Sequence, residues 1–569
     1  MEITSRFSYK GFNSFYKNFN YLRPEPGKPN NQNSLDYNTG RDYHWVWENT
    51  INYSRVFDKH NLGLMASTTS KEDATRSFGL TARDFNREDA WAQYLVNAQT
   101  FSKDRPWDGE YKDRNVSYVG RVSYSYADRY FATASYRRDI AGRLAVGNRA
   151  KDYPGLTGAW KVSSEPWFNF AMIDLLKVRA SWGKIGNLGS IGMYYGYPSL
   201  SGDNTYQVGN GAPYSPAAYI SSAYNSKLSW ETTQQTDFGI DLLMFKKKLS
   251  ITADYFMKKT FDLIKQQDTK WTATYGVGAP LINEGEISNK GFEFAADWTN
   301  KAGELNYSVG LNFATLKNEV TYIDANPTSY WAHGDSWRGI LAPFRSTVGQ
   351  PYYSYWLNQN AGIFKTAADV AAYTKDGKLI QPNAKAGDLK FVDKNGDGKI
   401  SDADRVYMGN AFPEFTYGFN MNVNWKNWDM SIFFQGVSGV KLFNAFKEST
   451  LNASEQGYNR WDKILDAWSP TNTGSSIPQI SASDANKNFG TPSDWYLENG
   501  DYLRLKNLLI GYTFKKTPWN GSLRLYFSGQ NLLTFTKYSG MDPEVGGYGL
   551  DAGQYPVSRV LSFGAKLNF

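Results

Sequence analysis

The residues best placed to do chemistry lie in one short run. Asp393, Asn395, Asp397, Lys399, Ser401 and Asp404 fall on positions 1, 3, 5, 7, 9 and 12 of the segment 393–404, the D-x-[DN]-x-[DN]-G spacing of a calcium loop. Hard carboxylate and amide oxygens at alternate positions let a short loop wrap a hard cation. Gly398 at position 6 permits the sharp turn, and Lys399 at position 7 offers its backbone carbonyl. Ser401 would act through a water, and Asp404, one methylene shorter than the usual Glu, through a single oxygen. The expectation is a structural Ca2+ clamp, against the plainer alternative of an acidic, metal-free run of Asx turns.

Nothing else in the chain suggests reaction chemistry. The three histidines, His44, His60 and His333, are far apart and sit in no metalloprotease pattern, and there is no nucleophile elbow, P-loop or dinucleotide fingerprint. With no cysteine in 569 residues, disulfide scaffolds, thiolate zinc sites and cysteine hydrolases are excluded. The chain is expected not to be an enzyme. A second cluster suits binding: Tyr330, Trp331, Trp337, Tyr352, Tyr353, Tyr355 and Trp356 gather just before the acidic loop. Exposed rings stack on sugar faces or apolar side chains, so these seven are the candidate ligand contacts, the alternative being packing within the loop or a membrane-interface belt.

The elements that carry these residues follow from periodicity. Mean hydropathy is −0.56, yet the chain holds 40 Tyr, 34 Phe and 19 Trp. No run approaches the ~18 apolar residues of a membrane helix, but barrel strands need only every second residue apolar. Leu561, Phe563, Ala565, Leu567 and Phe569 interleave with Ser562, Gly564, Lys566 and Asn568, and Phe415 to Trp425, Leu305 to Phe313, Phe238 to Met244 and Val116 to Tyr126 alternate likewise. Tight turns are expected at Asp58-Lys59-His60, Asp128-Arg129, Lys246 to Lys248, Asn300 to Gly303 and Lys426-Asn427, with longer ones at Ser164 to Asp174 and Lys515 to Gly521. Long polar segments, Lys317 to Asn410 and Ser438 to Gly500, lie between hairpins. Short helices are expected at Thr366 to Tyr373 and Arg460 to Trp468. Short turns alternating with long loops describe an all-β, transmembrane antiparallel β-barrel of about 16 strands, its first strand near Glu2 to Phe12 and its last ending at Phe569 as an assembly signal. The whole chain, 1–569, reads as one such domain, with the calcium-type loop inside the long extracellular loop 317–410. A net charge of +7 is too mild for a nucleic-acid partner. The rival readings are a secreted, calcium-binding, β-rich carbohydrate-active enzyme or lectin, and a simple porin-like barrel.

Several scattered motifs together resemble the SusC/RagA-type TonB-linked outer-membrane transporters of Bacteroidota. They are Trp230-Glu231 with Thr236 to Gly239, Asn283 to Gly291, Gly387 to Lys390 leading into the acidic loop, Gly409 to Pro413 with Tyr417-Gly418-Phe419, Tyr502 to Asn507, Gly529 to Leu532, Asp542-Pro543-Glu544 and Tyr555 to Arg559. The match is to the family's C-terminal portion. The resemblance implies a barrel of about 22 strands, of which about 16 are here, in the cell outer membrane. It implies a SusD-like surface lipoprotein as lid, and energy from TonB–ExbB–ExbD acting through a plug that is expected to be absent from this chain, as are signal peptide and TonB-binding segment. Oligosaccharides or peptides are the cargo it implies.

Overall fold

The computed structural model describes residues 1–25, 29–101, 106–192, 195, 200–207, 214–220, 223–267, 276–454, 459–515 and 521–569. Its long strands are β1 (Glu2–Asn20), β2 (Ser34–Phe57), β3 (His60–Phe85), β4 (Trp107–Tyr126), β5 (Tyr130–Ala141), β6 (Ala150–Lys161), β7 (Ile173–Asn187) and β8 (Glu231–Met244). They continue as β9 (Leu249–Phe261), β10 (Glu286–Ala302), β11 (Leu305–Thr315), β12 (Phe415–Trp425), β13 (Trp428–Ser438), β14 (Tyr502–Phe514), β15 (Ser522–Thr536) and β16 (Val560–Asn568). With two short strands they form an 18-stranded sheet among the described residues. The extra two prolong existing rows: Ala98–Phe101 pairs with the far end of β3 beyond β4, and Lys317–Tyr322 pairs with the start of β10 beyond β11. Sixteen rows remain, the number the turn pattern anticipates. Among the described residues no helix is long and apolar enough to cross a membrane.

The described residues cluster into two compact units, Met1–Trp160 with Ser181–Gln234 and Thr260–Glu284, and Lys161–Ala180 with Gln235–Lys259 and Gly285–Phe569. In the first unit β1 to β6 pair in sequence order, all antiparallel. Directly paired residues share a face, so register assigns the two surfaces. Tyr53, Leu64 and Val122 lie in one line across β2, β3 and β4, whereas the next line, Asn52, Met65 and Arg121, faces the other way. On the polar face Thr50 and Ser67 hydroxyls bond at 2.8 Å. In the second unit β10 to β16 likewise pair with their chain neighbours. Leu561, Phe563 and Leu567 on β16 are 58, 83 and 48% exposed. An apolar face this open has lipid as its natural solvent.

Two-residue hairpin turns at Asp58-Lys59 and Lys426-Asn427 fall where expected, and Asp58 and Lys426 have φ of 51° and 55°, the left-handed start that matches strand twist. The turn expected at Asn300 to Gly303 is instead Gly303-Glu304, because β10 stays paired to Ala302. The expected Lys515–Gly521 connection lies largely outside the described residues. The first strand runs on to Asn20, well past Phe12. Helix Ala367–Ala372 forms behind Thr366, whose hydroxyl accepts from the Asp369 N–H while the Asp369 carboxylate accepts from the Thr366 N–H. Arg460 to Trp468 yields only a 3-10 turn, Asp462–Asp466.

The segment expected to be loop from Lys317 begins as strand. Between β11 and Lys317–Tyr322 the register against β10 is kept while the ladder breaks, and the Phe292 N–H, opposite Thr315, donates to the Thr315 hydroxyl at 2.9 Å. Gly291 makes the break possible, because a Cβ there would run into the Thr315 carbonyl. Gly291→Ala is expected to destabilise the folded chain by ~1–3 kcal/mol, the cost of overpacking against backbone. Gly120→Ala, where a Cβ meets nothing within 4 Å, stays within ~0.5 kcal/mol. Urea unfolding in detergent reads both.

Candidate functional site

Three long connections of the second unit, 323–414, 439–501 and 537–559, fold together. Apolar residues from the first two, Leu341, Phe344, Tyr355, Leu357, Phe443 and Tyr496, are buried in one cluster, with Leu550 of the third packed against it. Lys441–Asn444 pairs antiparallel with Leu497–Asn499 and parallel with Leu550–Asp551, so a small sheet joins the second and third connections. Tyr355 ties in the first. Its ring is wholly buried and its hydroxyl lies 3.0 to 3.2 Å from the carbonyls of Lys441, Tyr548 and Gly549. Burial pushes that phenol far above its usual range.

A second tie runs from the strand wall to the third connection. Arg504 on β14 is 2% exposed and donates to Asp542 (2.7 Å), Glu544 and the Thr534 hydroxyl (2.9 Å). Glu544 also accepts from Tyr502 at 3.0 Å and Lys506 at 3.0 and 3.1 Å. Tyr502 to Asn507 and Asp542-Pro543-Glu544, separate motifs in the sequence, are thus one buried network. Breaking such a network by removing one partner leaves an uncompensated charge, a loss of ~3–5 kcal/mol.

The seven aromatic candidates divide. Tyr355 is core, and Trp331 is 6% exposed, so neither presents a free ring face to a ligand. Trp337 is half-buried, donating to Glu448 at 3.0 Å, and Trp356 packs against Tyr407. Tyr330 is exposed, with the Arg345 guanidinium 4.8 Å from its ring centre. Tyr352 and Tyr353 are half-buried and belong to a stack that sequence spacing did not reveal: His333, Tyr353 and Tyr548 lie face to face at successive centroid distances of 3.6 Å, with Tyr352 edge-on. Tyr548 is some 200 residues from Tyr353 in sequence; its only local signal is the glycine-rich setting Gly546-Gly547-Tyr548-Gly549. Nearby, Phe446, Thr450, Arg460, Trp461 and Met541 border an apolar cavity of about 370 Å³.

The acidic loop is wound as its spacing requires, with φ of 69° at Gly396 and 87° at Gly398. Asp393 accepts from the N–H groups of Asp397 (3.1 Å) and Gly398 (2.8 Å). Asp404 is wholly buried and accepts from Lys394, Asn395 and Ser401 N–H at 2.7 to 3.2 Å. Asn395 and Asp397 accept from backbone N–H groups two residues on. Among the described residues no three carboxylate or imidazole groups converge on one point, so these oxygens face amides rather than each other. Each oxygen of Asp393 and Asp397 keeps a second lone pair, whereas both oxygens of Asp404 already accept twice, from Lys394 and Asn395 and from the Ser401 N–H and hydroxyl. Phe569, just past β16, is 95% exposed.

No family model matches the chain. Its curated relatives do: it is 30% identical over 491 residues to TonB-dependent receptor P3 of Formosa agariphila, an alignment covering 80% of this chain and 45% of the relative. It is 27% identical over 477 residues to TonB-dependent receptor SusC of Bacteroides thetaiotaomicron, covering 81% of this chain and 44% of that one. The chain is SusC-like. It spans a little under half the length of these relatives. Its fold matches that of the RagAB peptide transporter at a TM-score of 0.81 and 22% identity, over all of this chain and 60% of the other. The fold is that of an outer-membrane β-barrel, and the outer membrane is its location. The relatives are named as receptors, not enzymes, as the absence of catalytic motifs leads one to expect.

His333 gives the loop assembly a pH signature. Burial against Tyr353 drives its imidazole from 6.5 down to about 4. The unfolded chain accepts a proton that the folded one resists, so this stabilisation is whole above about pH 6.5 and lost as pH falls toward 4. Urea midpoints followed by tryptophan fluorescence should decline over that window in the native chain and decline less in His333→Gln.

Proposed function

We propose that this chain is the barrel part of a TonB-dependent nutrient importer of the SusC type, with the loop assembly of the second unit as its cargo-contact surface. The observation that supports this best is the joining of a lipid-facing strand wall to an assembly of three loops bearing a half-exposed aromatic stack, in a chain SusC-like over four-fifths of its length. Tyr330, Tyr352 and Tyr548 would stack on cargo, an oligosaccharide or a peptide, with Tyr353 held between His333 and Tyr548 as their support. A SusD-like lipoprotein would close over these loops, and TonB–ExbB–ExbD would supply energy through a plug.

A tagged chain isolated from native outer membranes is expected to bring with it a surface lipoprotein in equal amount. Deletion of its gene should abolish uptake of a fluorescent oligosaccharide or peptide from a mixed hydrolysate. A chain that isolates alone and conducts ions steadily in planar bilayers would instead be a porin.

The 393–404 loop would hold a structural Ca2+ through Asp393, Asn395, Asp397, the Lys399 carbonyl and Asp404, with Ser401 acting through water. Calorimetric titration with Ca2+ should give a single site in the native chain and none in Asp393→Ala or Asp397→Ala. Equal heats in all three would reject the assignment.

A further inference from the structure

We propose that the acidic loop carries a site of spontaneous covalent modification, Asn395, whose side-chain amide is lost by reaction with the backbone nitrogen of Gly396. The tripeptide Asn-Gly-Asp occurs twice in the chain, at 395–397 and at 499–501. In both, the glycine offers no Cβ to obstruct its nitrogen from the preceding amide carbon. Sequence therefore makes the two asparagines equal candidates, and the fold separates them.

Their local hydrogen bonds are the same. Asn395 Oδ1 accepts from the Asp397 N–H at 2.9 Å and its Nδ2 donates to Asp397 Oδ2 at 3.2 Å. Asn499 Oδ1 accepts from the Asp501 N–H at 2.7 Å and its Nδ2 donates to Asp501 Oδ2 at 3.3 Å. Each is an Asx turn, which folds the side-chain amide back over its own chain. The glycines differ. Gly500 is buried, its N–H donates to the Val440 carbonyl at 2.9 Å, and a Cβ there would lie 2.6 Å from Leu442 Cγ. It directly follows Leu497–Asn499, which is paired with Lys441–Asn444, so its backbone is held from both sides. Gly396 is exposed, and its N–H has no partner among the described residues. Its φ of 69° is one that glycine adopts without strain. A Cβ at Gly396 would stand 3.8 Å from Lys375 Nζ, so an ammonium lies close to the free nitrogen.

The chemistry follows from that free N–H. An amide nitrogen attacks only as its proton leaves, and a neighbouring cation stabilises the negative charge that develops there. The Gly396 nitrogen adds to Asn395 Cγ, whose oxygen is already polarised by the Asp397 N–H. The new N–Cγ bond forms, the Cγ–Nδ2 bond breaks, and the amide nitrogen departs as ammonia, leaving a five-membered cyclic imide. Water then opens one of its two C–N bonds, giving aspartate at 395 when the N–Cγ bond breaks and isoaspartate when the backbone bond breaks. No oxidant or reductant is involved. At Gly500 the same attack would break the bond to Val440 inside a packed sheet. Either product adds a carboxylate between Asp393 and Asp397. The isoaspartyl form also lengthens the backbone by one methylene just before Asp397 and Gly398, whose N–H groups now bond Asp393 at 3.1 and 2.8 Å. That product cannot keep the loop wound as it is.

The test is peptide mass spectrometry on the full chain in detergent, aged at mildly alkaline pH with EGTA present so that no cation holds the loop. A parallel sample is aged in concentrated urea, and the heat-modifiable gel band reports which chain is folded. The mass gain of amide to acid is followed at Asn395 and Asn499. The ratio of their rates, Asn395 over Asn499, is expected to be at least about fivefold larger in the folded chain than in urea. Asn395→Gln should remove the signal from its peptide. A smaller difference between folded and unfolded ratios, a faster Asn499 in the folded chain, or a signal that survives in Asn395→Gln would each overturn the proposal.

Discussion

The constraint on which the rest depends is the backbone hydrogen bond in lipid. With no water to satisfy N–H and C=O groups, each strand must pair along its length, and pairing fixes which residues stand side by side. Once β2, β3 and β4 are in register, Leu64 and Val122 must share one face and Met65 and Arg121 the other. Side-chain chemistry then follows the ladder: apolar residues on the open face, hydroxyls and charges on the opposite one. Where the ladder is interrupted, as beside Gly291, a side chain replaces the lost backbone partner, and the absent Cβ is what lets the strands remain close.

The loops obey a different rule. Long connections lack a continuous ladder, so they are held by a few buried polar atoms that each answer several partners. The Tyr355 hydroxyl gathers three carbonyls from two other connections, and Arg504 joins the strand wall to Asp542 and Glu544. Several of the motifs that resemble the SusC/RagA type take part in such contacts. The Tyr355 N–H donates to the Gly409 carbonyl, the Lys441 N–H to that of Asn410, and Asp388 accepts from Gln479 and Asn488. Short, dispersed motifs are what such a scaffold leaves in a sequence, because each is one end of a contact whose other end lies far along the chain.

This explains how much of the molecule could be read from residues alone. Period-two alternation is local, so the strands at Val116 to Tyr126, Leu305 to Phe313, Phe415 to Trp425 and Leu561 onward were legible, as were the Lys426-Asn427 turn and the short helix at Thr366 to Tyr373. Burial inside the loops was not. Tyr353 and Tyr355 are two residues apart and alike in type, yet one lies in an aromatic stack and the other is sealed in the core, because their partners, Tyr548 and Phe443, come from other connections. The strand Lys317–Tyr322 was missed for a related reason: Lys-Asn-Glu-Val-Thr-Tyr holds only two apolar residues, too few to declare a period, and its pairing with β10 decides its conformation.

Two polar centres, around Arg504 and around Asp113 on β4, differ in how fully their charges are met. Around Arg504 the charges are matched, with two carboxylates and a hydroxyl meeting a guanidinium at 2% exposure, and a satisfied buried network is rigid. Around Asp113 they are not: Arg143 and Asn115 crowd one oxygen and leave the other buried without a partner. A guanidinium grips a carboxylate most strongly in the two-point arrangement, and Arg143 instead donates twice to the same oxygen. Gathering three donors on Oδ2 holds the side chain still while Oδ1 stays sealed from solvent. A buried acceptor left unmade bears its desolvation cost, so this centre stabilises its strands less than the matched one around Arg504 stabilises its loops.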